Sequence, residues 1–117
     1  MTCFNRREMT LRCLEHLYEQ DALQDDIDLE VHMTDDGSKD GTTEAVQAAF
    51  PAVNIYPGDG SLFWNGGMNL AFGHALERNL DYYLWINDDT FLYPDALSRL
   101  LATHRQFADA GKPDSMV

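Results

Sequence analysis

Hydrophobic and polar positions along the chain change period several times, and each change marks an element. From about residue 7 to residue 20 the apolar positions Leu11, Leu14, Leu17 and Tyr18 fall three and four apart, the spacing of an amphipathic helix. Asn5 followed by Glu8 reads as a capping box at its start. Residues 29–34 alternate instead, with Leu29, Val31 and Met33 on one face of a strand. Thr42 to Phe50 returns to helical spacing and is stopped by Pro51. Val53 to Tyr56 is a brief strand, followed by a glycine-rich loop, PGDGSLFWNGG, over residues 57–67. Met68 to Asn79 is helical through Leu70, Ala71, His74, Ala75 and Leu76. Tyr82 to Ile86 is apolar throughout, the pattern of a central strand covered on both faces. Pro94 opens a last helix that carries Leu97, Leu100, Leu101 and His104 on one side.

Strands alternating with helices predict an α/β fold with a mainly parallel sheet. In open sheets of this kind ligands bind beyond the carboxyl ends of the strands. Two acidic turns fall at such ends: Asp35–Asp36, followed by Gly37 and Ser38, and Asp88–Asp89 in the stretch INDDT, residues 86–90. Either pair alone reads equally well as a turn and a helix cap. Together they predict a crevice lined by carboxylates, which suits a hard, oxygen-seeking cation such as Mg2+ or Mn2+. Between them, the glycines flanking Phe63, Trp64 and Asn65 would let backbone approach a ligand, or simply shape a surface loop anchored by an aromatic residue.

Charge changes the picture of partners. Twenty acidic against eight basic residues give a formal charge of −12, which repels nucleic acid and anionic lipid. A phosphate-bearing ligand would need a cation or helix dipoles to offset the carboxylates. Cys3 and Cys13 are too few for a disulfide framework and wrongly spaced for zinc, and read as reduced thiols. His16, His32, His74 and His104 share no ligand spacing and read as surface or core-edge residues. No apolar run approaches the length of a membrane span, and no secretory signal is visible, so a cytoplasmic location is expected.

Four segments, TCFNR near the start, DDGSKDGT, NGGMNLAFGHAL and LWINDDTFLYPDAL, stand in the order found in family 2 glycosyltransferases, and the chain resembles that family over nearly its whole length. The resemblance implies a GT-A-like (Rossmann-like) α/β/α fold of three layers and an inverting transfer of sugar from a nucleotide-diphosphate donor. It implies base contacts from Thr2 and Phe4, a hydrogen bond from the base to Asp36, and a donor site lined by Asn65 and Asn69. Asp88 would lie near the ribose or donor sugar, and Asp89 would be the metal ligand, for Mn2+ or Mg2+. Asp35 matches a position of turn geometry.

Three departures from the family pattern shape the expectation. Asn87 stands where a full Asp-x-Asp has its first acid. Relatives carry several apolar residues of a first central strand where this chain has Met1-Thr2-Cys3. The acceptor region that supplies the general base would follow Val117, and only Asp109 and Asp114 lie as candidate acids late in the chain. The catalytic base is therefore unassigned. Residues 1–117 are expected to be the donor-binding portion of a truncated fold, without the acceptor-binding half and inactive alone. The expected ligand is a UDP-, GDP- or dTDP-sugar, with a homodimer as the assembly. The alternatives are a non-catalytic nucleotide-binding remnant and a receiver-like signalling domain, which also gathers aspartates and Mg2+ at strand ends.

Overall fold

The computed structural model describes residues 1–24, 27–112 and 116, so Asp114 lies outside the described residues. The chain divides into two compact units, Met1–Leu14 with Glu30–Thr90, and Glu15–Leu29 with Phe91–Val117. The boundary falls inside the first helix.

The first unit is built on a parallel sheet of three strands in the order β1 (Thr2–Cys3), β2 (His32–Asp35) and β3 (Asn54–Pro57). Thr2 pairs with Thr34 and Cys3 with Asp35, while His32 to Asp35 run in register with Asn54 to Pro57. The fold class is thus α/β with a parallel sheet, as expected. Helices α1 (Arg7–Tyr18), α2 (Thr42–Ala49) and α3 (Phe63–Glu77) follow the successive strands. Strand β2 lies in the middle and is buried at all four positions. Helix α3 packs against it and against β1. Met33, Leu14 and Val46 are completely buried, each such side chain contributing about 1.5–3 kcal/mol of apolar transfer. Buried Thr34 donates its hydroxyl to the Gly67 carbonyl in α3 at 2.8 Å, which satisfies a polar group that burial would otherwise penalise.

Three sequence expectations are corrected here. The middle of the sheet is β2, not Tyr82–Ile86, which forms no strand. Tyr82, Tyr83, Leu84 and Trp85 are all exposed, and of that run only Ile86 is buried. An apolar run becomes a strand only where it finds a backbone partner. Here the segment is held by ring contacts instead, Phe72 meeting Tyr83 at 5.6 Å and Trp85 at 5.2 Å. Second, the glycine-rich loop is shorter than predicted, because α3 already begins at Phe63. Third, Asn5 and Glu8 form no capping box. Asn5 adopts a left-handed conformation (φ 51°) and sends its side chain to the Lys39 amide at 2.7 Å. The Arg7 amide is capped by the Asp40 carboxylate at 2.9 Å, and Glu8 pairs with Arg7.

The second unit contains the end of α1, a 3₁₀ turn (Asp21–Gln24) and helix α4 (Ala96–Asp109). Gln20 organises it. Only 2% exposed, it donates to the carbonyls of His16 (2.9 Å) and Tyr93 (2.8 Å) and accepts from the Leu97 amide (3.0 Å). Helix α4 buries none of its residues.

Candidate functional site

All the residues singled out for donor binding fall in the first unit, and a nearly continuous set of hydrogen bonds joins three of them, Asp36, Asp88 and Asp89, through α3 and the residues after β1. It starts where β2 stops. Asp35 turns back on its own loop, accepting from the Ser38 amide at 2.9 Å and from the Thr43 hydroxyl. Asp36, 3% exposed, reaches across to the start of α3. Its Oδ1 accepts from the amides of Gly60 (2.9 Å) and Leu62 (3.4 Å), and its Oδ2 accepts from that of Phe63 (2.9 Å). The Leu62 and Phe63 amides are orphan donors of the α3 N-terminus, and a carboxylate there also meets the favourable end of the helix dipole. Gly58 makes this possible: a Cβ at that position would collide with Asp36 Oδ1 and come within 2.9 Å of the Leu62 side chain.

From α3 the chain of contacts passes to the second acidic turn. The Trp64 indole N–H donates to Asn87 Oδ1 at 2.9 Å. Asn87 precedes Asp88 and Asp89, and both carboxylates face one cation. Arg6 Nη1 lies 3.3 Å from Asp88 Oδ1 and 3.0 Å from Asp89 Oδ2. The circuit closes through Asn5, whose amide donates to the Ser38 hydroxyl at 2.9 Å and whose side chain holds Lys39. The junction of β1 and α1 therefore touches both acidic turns, Asn5 the first and Arg6 the second.

The two aspartates of the second turn differ. Asp89 is half exposed, whereas the Asp88 side chain is only 8% exposed. Burial pushes the Asp88 carboxyl above its usual range; Arg6 works against this and the neighbouring Asp89 charge adds to it. Asp88 Oδ2 is buried and has no hydrogen-bond partner among the described residues. A buried acceptor in that state is costly to the fold.

The remaining predicted residues lie as follows. Thr2 is buried, its side chain packed so closely on Gly67 that a Cβ there would collide with it. Phe4 is half exposed. Asn65 and Asn69 lie exposed on α3. Trp64 and Phe63 are 54% and 77% exposed, so neither is the core anchor that the sequence left open for this loop. Among the described residues no three His, Cys, Asp or Glu side chains gather as a metal site. The two acidic turns are connected through the start of α3 and through Asn5–Arg6, but they form no common ligand set. A concavity of about 600 Å3, lined by Arg7, Ser38, Lys39, Gly41, Glu44 and Ala45, includes none of the predicted residues.

Both cysteines are free and buried. Burial, reinforced by Asp35 and Asp88, pushes the Cys3 thiol up to about 12, and burial raises Cys13 to about 11, so neither is a nucleophile at neutral pH. Sequence reasoning missed Arg6, which it quoted only as part of a motif. The signal was available: in a chain this acidic, an arginine just beyond the first strand is a natural counter-ion for one of the acidic turns.

The parallel sheet with helices following its strands places the chain among α/β proteins; of the two acidic turns only Asp35–Asp36 ends one of its strands, because the segment before Asp88–Asp89 forms none. Residues 1–111 match the family described as Glycosyl transferase family 2, and the chain belongs to that family. No curated protein and no solved structure matches it closely enough for comparison. Membership sets aside the receiver-like alternative. No helix among the described residues is long and apolar enough to cross a membrane.

Proposed function

We propose that the chain binds a nucleotide-diphosphate sugar at the mouth ringed by Asp36, Trp64, Asp88–Asp89 and Arg6, as the donor for glycosyl transfer. The observation that carries this is the Asp88–Asp89 pair, with one oxygen buried and unsatisfied and a single guanidinium between the carboxylates. Such a pair fits a divalent cation. Mg2+ or Mn2+ takes one or two protein carboxylates and fills its remaining positions with water and substrate phosphate, so no third protein ligand is required. Asp89, more exposed, would hold the ion, with Asp88 beside it. Bound there, the cation supplies charge to the diphosphate leaving group.

The chain's own residues do the rest. Asp36 already accepts three amides, and a carboxylate has about four acceptor positions, which leaves one for a base N–H. Phe4, exposed beside that strand end, suits a face of the base, and Thr2 places it. Asn65 and Asn69 offer amides toward the sugar from the exposed face of α3. The test is calorimetric titration of UDP, GDP and dTDP, each with manganese and with a chelator. At least one nucleotide should bind more tightly with manganese, and Asp89→Asn should remove the difference. Equal affinity in both conditions for all three would overturn the metal role.

A further inference from the structure

Arg6 raises a question that the donor-binding reading leaves open. It occupies the carboxylates to which a cation would bind. One nitrogen, Nη1, serves both Asp88 and Asp89, and the side chain remains 50% exposed and so able to move. A guanidinium and a divalent ion cannot both sit there. They need the same oxygens, and they repel each other across a few ångströms.

We propose that Arg6 and a divalent cation are alternative counter-ions of the Asp88–Asp89 pair, and that the guanidinium released by the metal is the group that meets the ligand's phosphate. This rests on the donor-binding reading for its second half only. Without metal, two carboxylates and one arginine leave this turn short of positive charge, in a chain of formal charge −12. A divalent ion neutralises the pair and frees a planar donor that binds phosphate through two parallel hydrogen bonds. The exchange takes the group formed by Asp88, Asp89 and Arg6 from net negative to net positive only when metal is present. Asp88 Oδ2, buried and without a partner among the described residues, is the carboxylate oxygen that Arg6 leaves unserved.

The experiment uses the 117-residue chain, with Mn2+ followed by electron paramagnetic resonance and no nucleotide added. Arg6→Gln removes the competing charge, and the chain should bind Mn2+ about fivefold more tightly, the equivalent of about 1 kcal/mol for a half-exposed ion pair. Arg6→Lys keeps the charge and should stay within about twofold of the wild type. At saturating Mn2+ the sign reverses: Arg6→Gln should bind UDP about tenfold more weakly, or about 1.4 kcal/mol. Circular dichroism of each variant confirms that the fold is retained. Unchanged or weaker Mn2+ binding by Arg6→Gln overturns the competition, as does the absence of Mn2+ binding from both chains. Unchanged UDP affinity overturns the hand-off to phosphate. If the wild type binds no nucleotide at all, the donor-binding reading fails, while the manganese comparison still decides the competition.

Discussion

Asp35–Asp36 and Asp88–Asp89 are the same dipeptide, set in two turns at one end of one unit, and the protein treats them in opposite ways. The first pair is saturated from within: Asp35 fastens its own loop, and Asp36 takes three backbone amides of another. The second receives one shared guanidinium and keeps a buried oxygen without a partner. A carboxylate that accepts several amides stabilises the fold, because removing it strands those donors. A carboxylate held by one half-exposed arginine adds little to the fold and remains available to a ligand. Burial alone does not separate them, since Asp36 and Asp88 are 3% and 6% exposed. The number and kind of hydrogen-bond donors does.

The largest effect should come from replacing the two buried acids in turn. Asp36→Ala leaves the Gly60 and Phe63 amides without their acceptor and uncaps α3, at a cost of about 3 kcal/mol. In a domain of this size that lowers the melting temperature on the order of 10 °C. Asp88→Ala removes a poorly satisfied buried charge and should change stability by no more than about 1 kcal/mol in either direction. Thermal denaturation of both variants side by side decides it, and equal losses would erase the distinction drawn here.

Next in size is the glycine that lets Asp36 reach α3. Gly58→Ala would drive a methyl into Asp36 Oδ1 and to within 2.9 Å of Leu62, and should cost about 2 kcal/mol as overpacking. Combined with Asp36→Ala the loss should fall short of the sum, because the truncated side chain no longer occupies the space. Strict additivity in the double variant would mean that Gly58 and Asp36 act separately, and the first turn would then be less tightly built than its contacts imply.

These contacts also explain which parts of the molecule were legible in the sequence. Helices α1 and α2, the alternation of strands and helices, and both acidic turns follow from local periodicity and turn residues. The failures share a physical cause, which is dependence on distant chain. Phe63 starts a helix because Asp36, 27 positions earlier, caps its amide, and Arg7 is capped by Asp40 from a later loop. No local motif encodes either cap, and the Asn5–Glu8 spacing pointed to one that is not used. Tyr82–Ile86 has the composition of a buried strand, but pairing is a property of two segments. Of the candidate site, the acids were legible as a class, whereas their division into a saturated pair and an available one depends on which donors arrive from α3 and from Arg6.

The smallest predicted effect tests how the first turn is fastened to the helix that follows Arg6. Asp40 accepts from the Arg7 amide at 2.9 Å and from the Thr42 hydroxyl, and these hydrogen bonds, that of Thr42 foremost, hold its carboxyl below the ordinary value of 3.8. A carboxyl depressed in the folded state contributes stability that is present above its unfolded value and lost as pH falls through the folded one. Asp40→Asn forfeits the charged acceptor but not the shape. The wild type should therefore melt above Asp40→Asn at pH 7, and the gap should narrow once the pH drops below 3.8 and close as the wild-type carboxyl protonates. Because the group faces solvent, salt should shrink the gap as well. Melting curves of the two chains across this range, at low and high salt, read both dependences. A gap that stayed constant with pH would show that shape, rather than charge, fastens the loop to α1, and Asp40 would then belong with neither acidic pair.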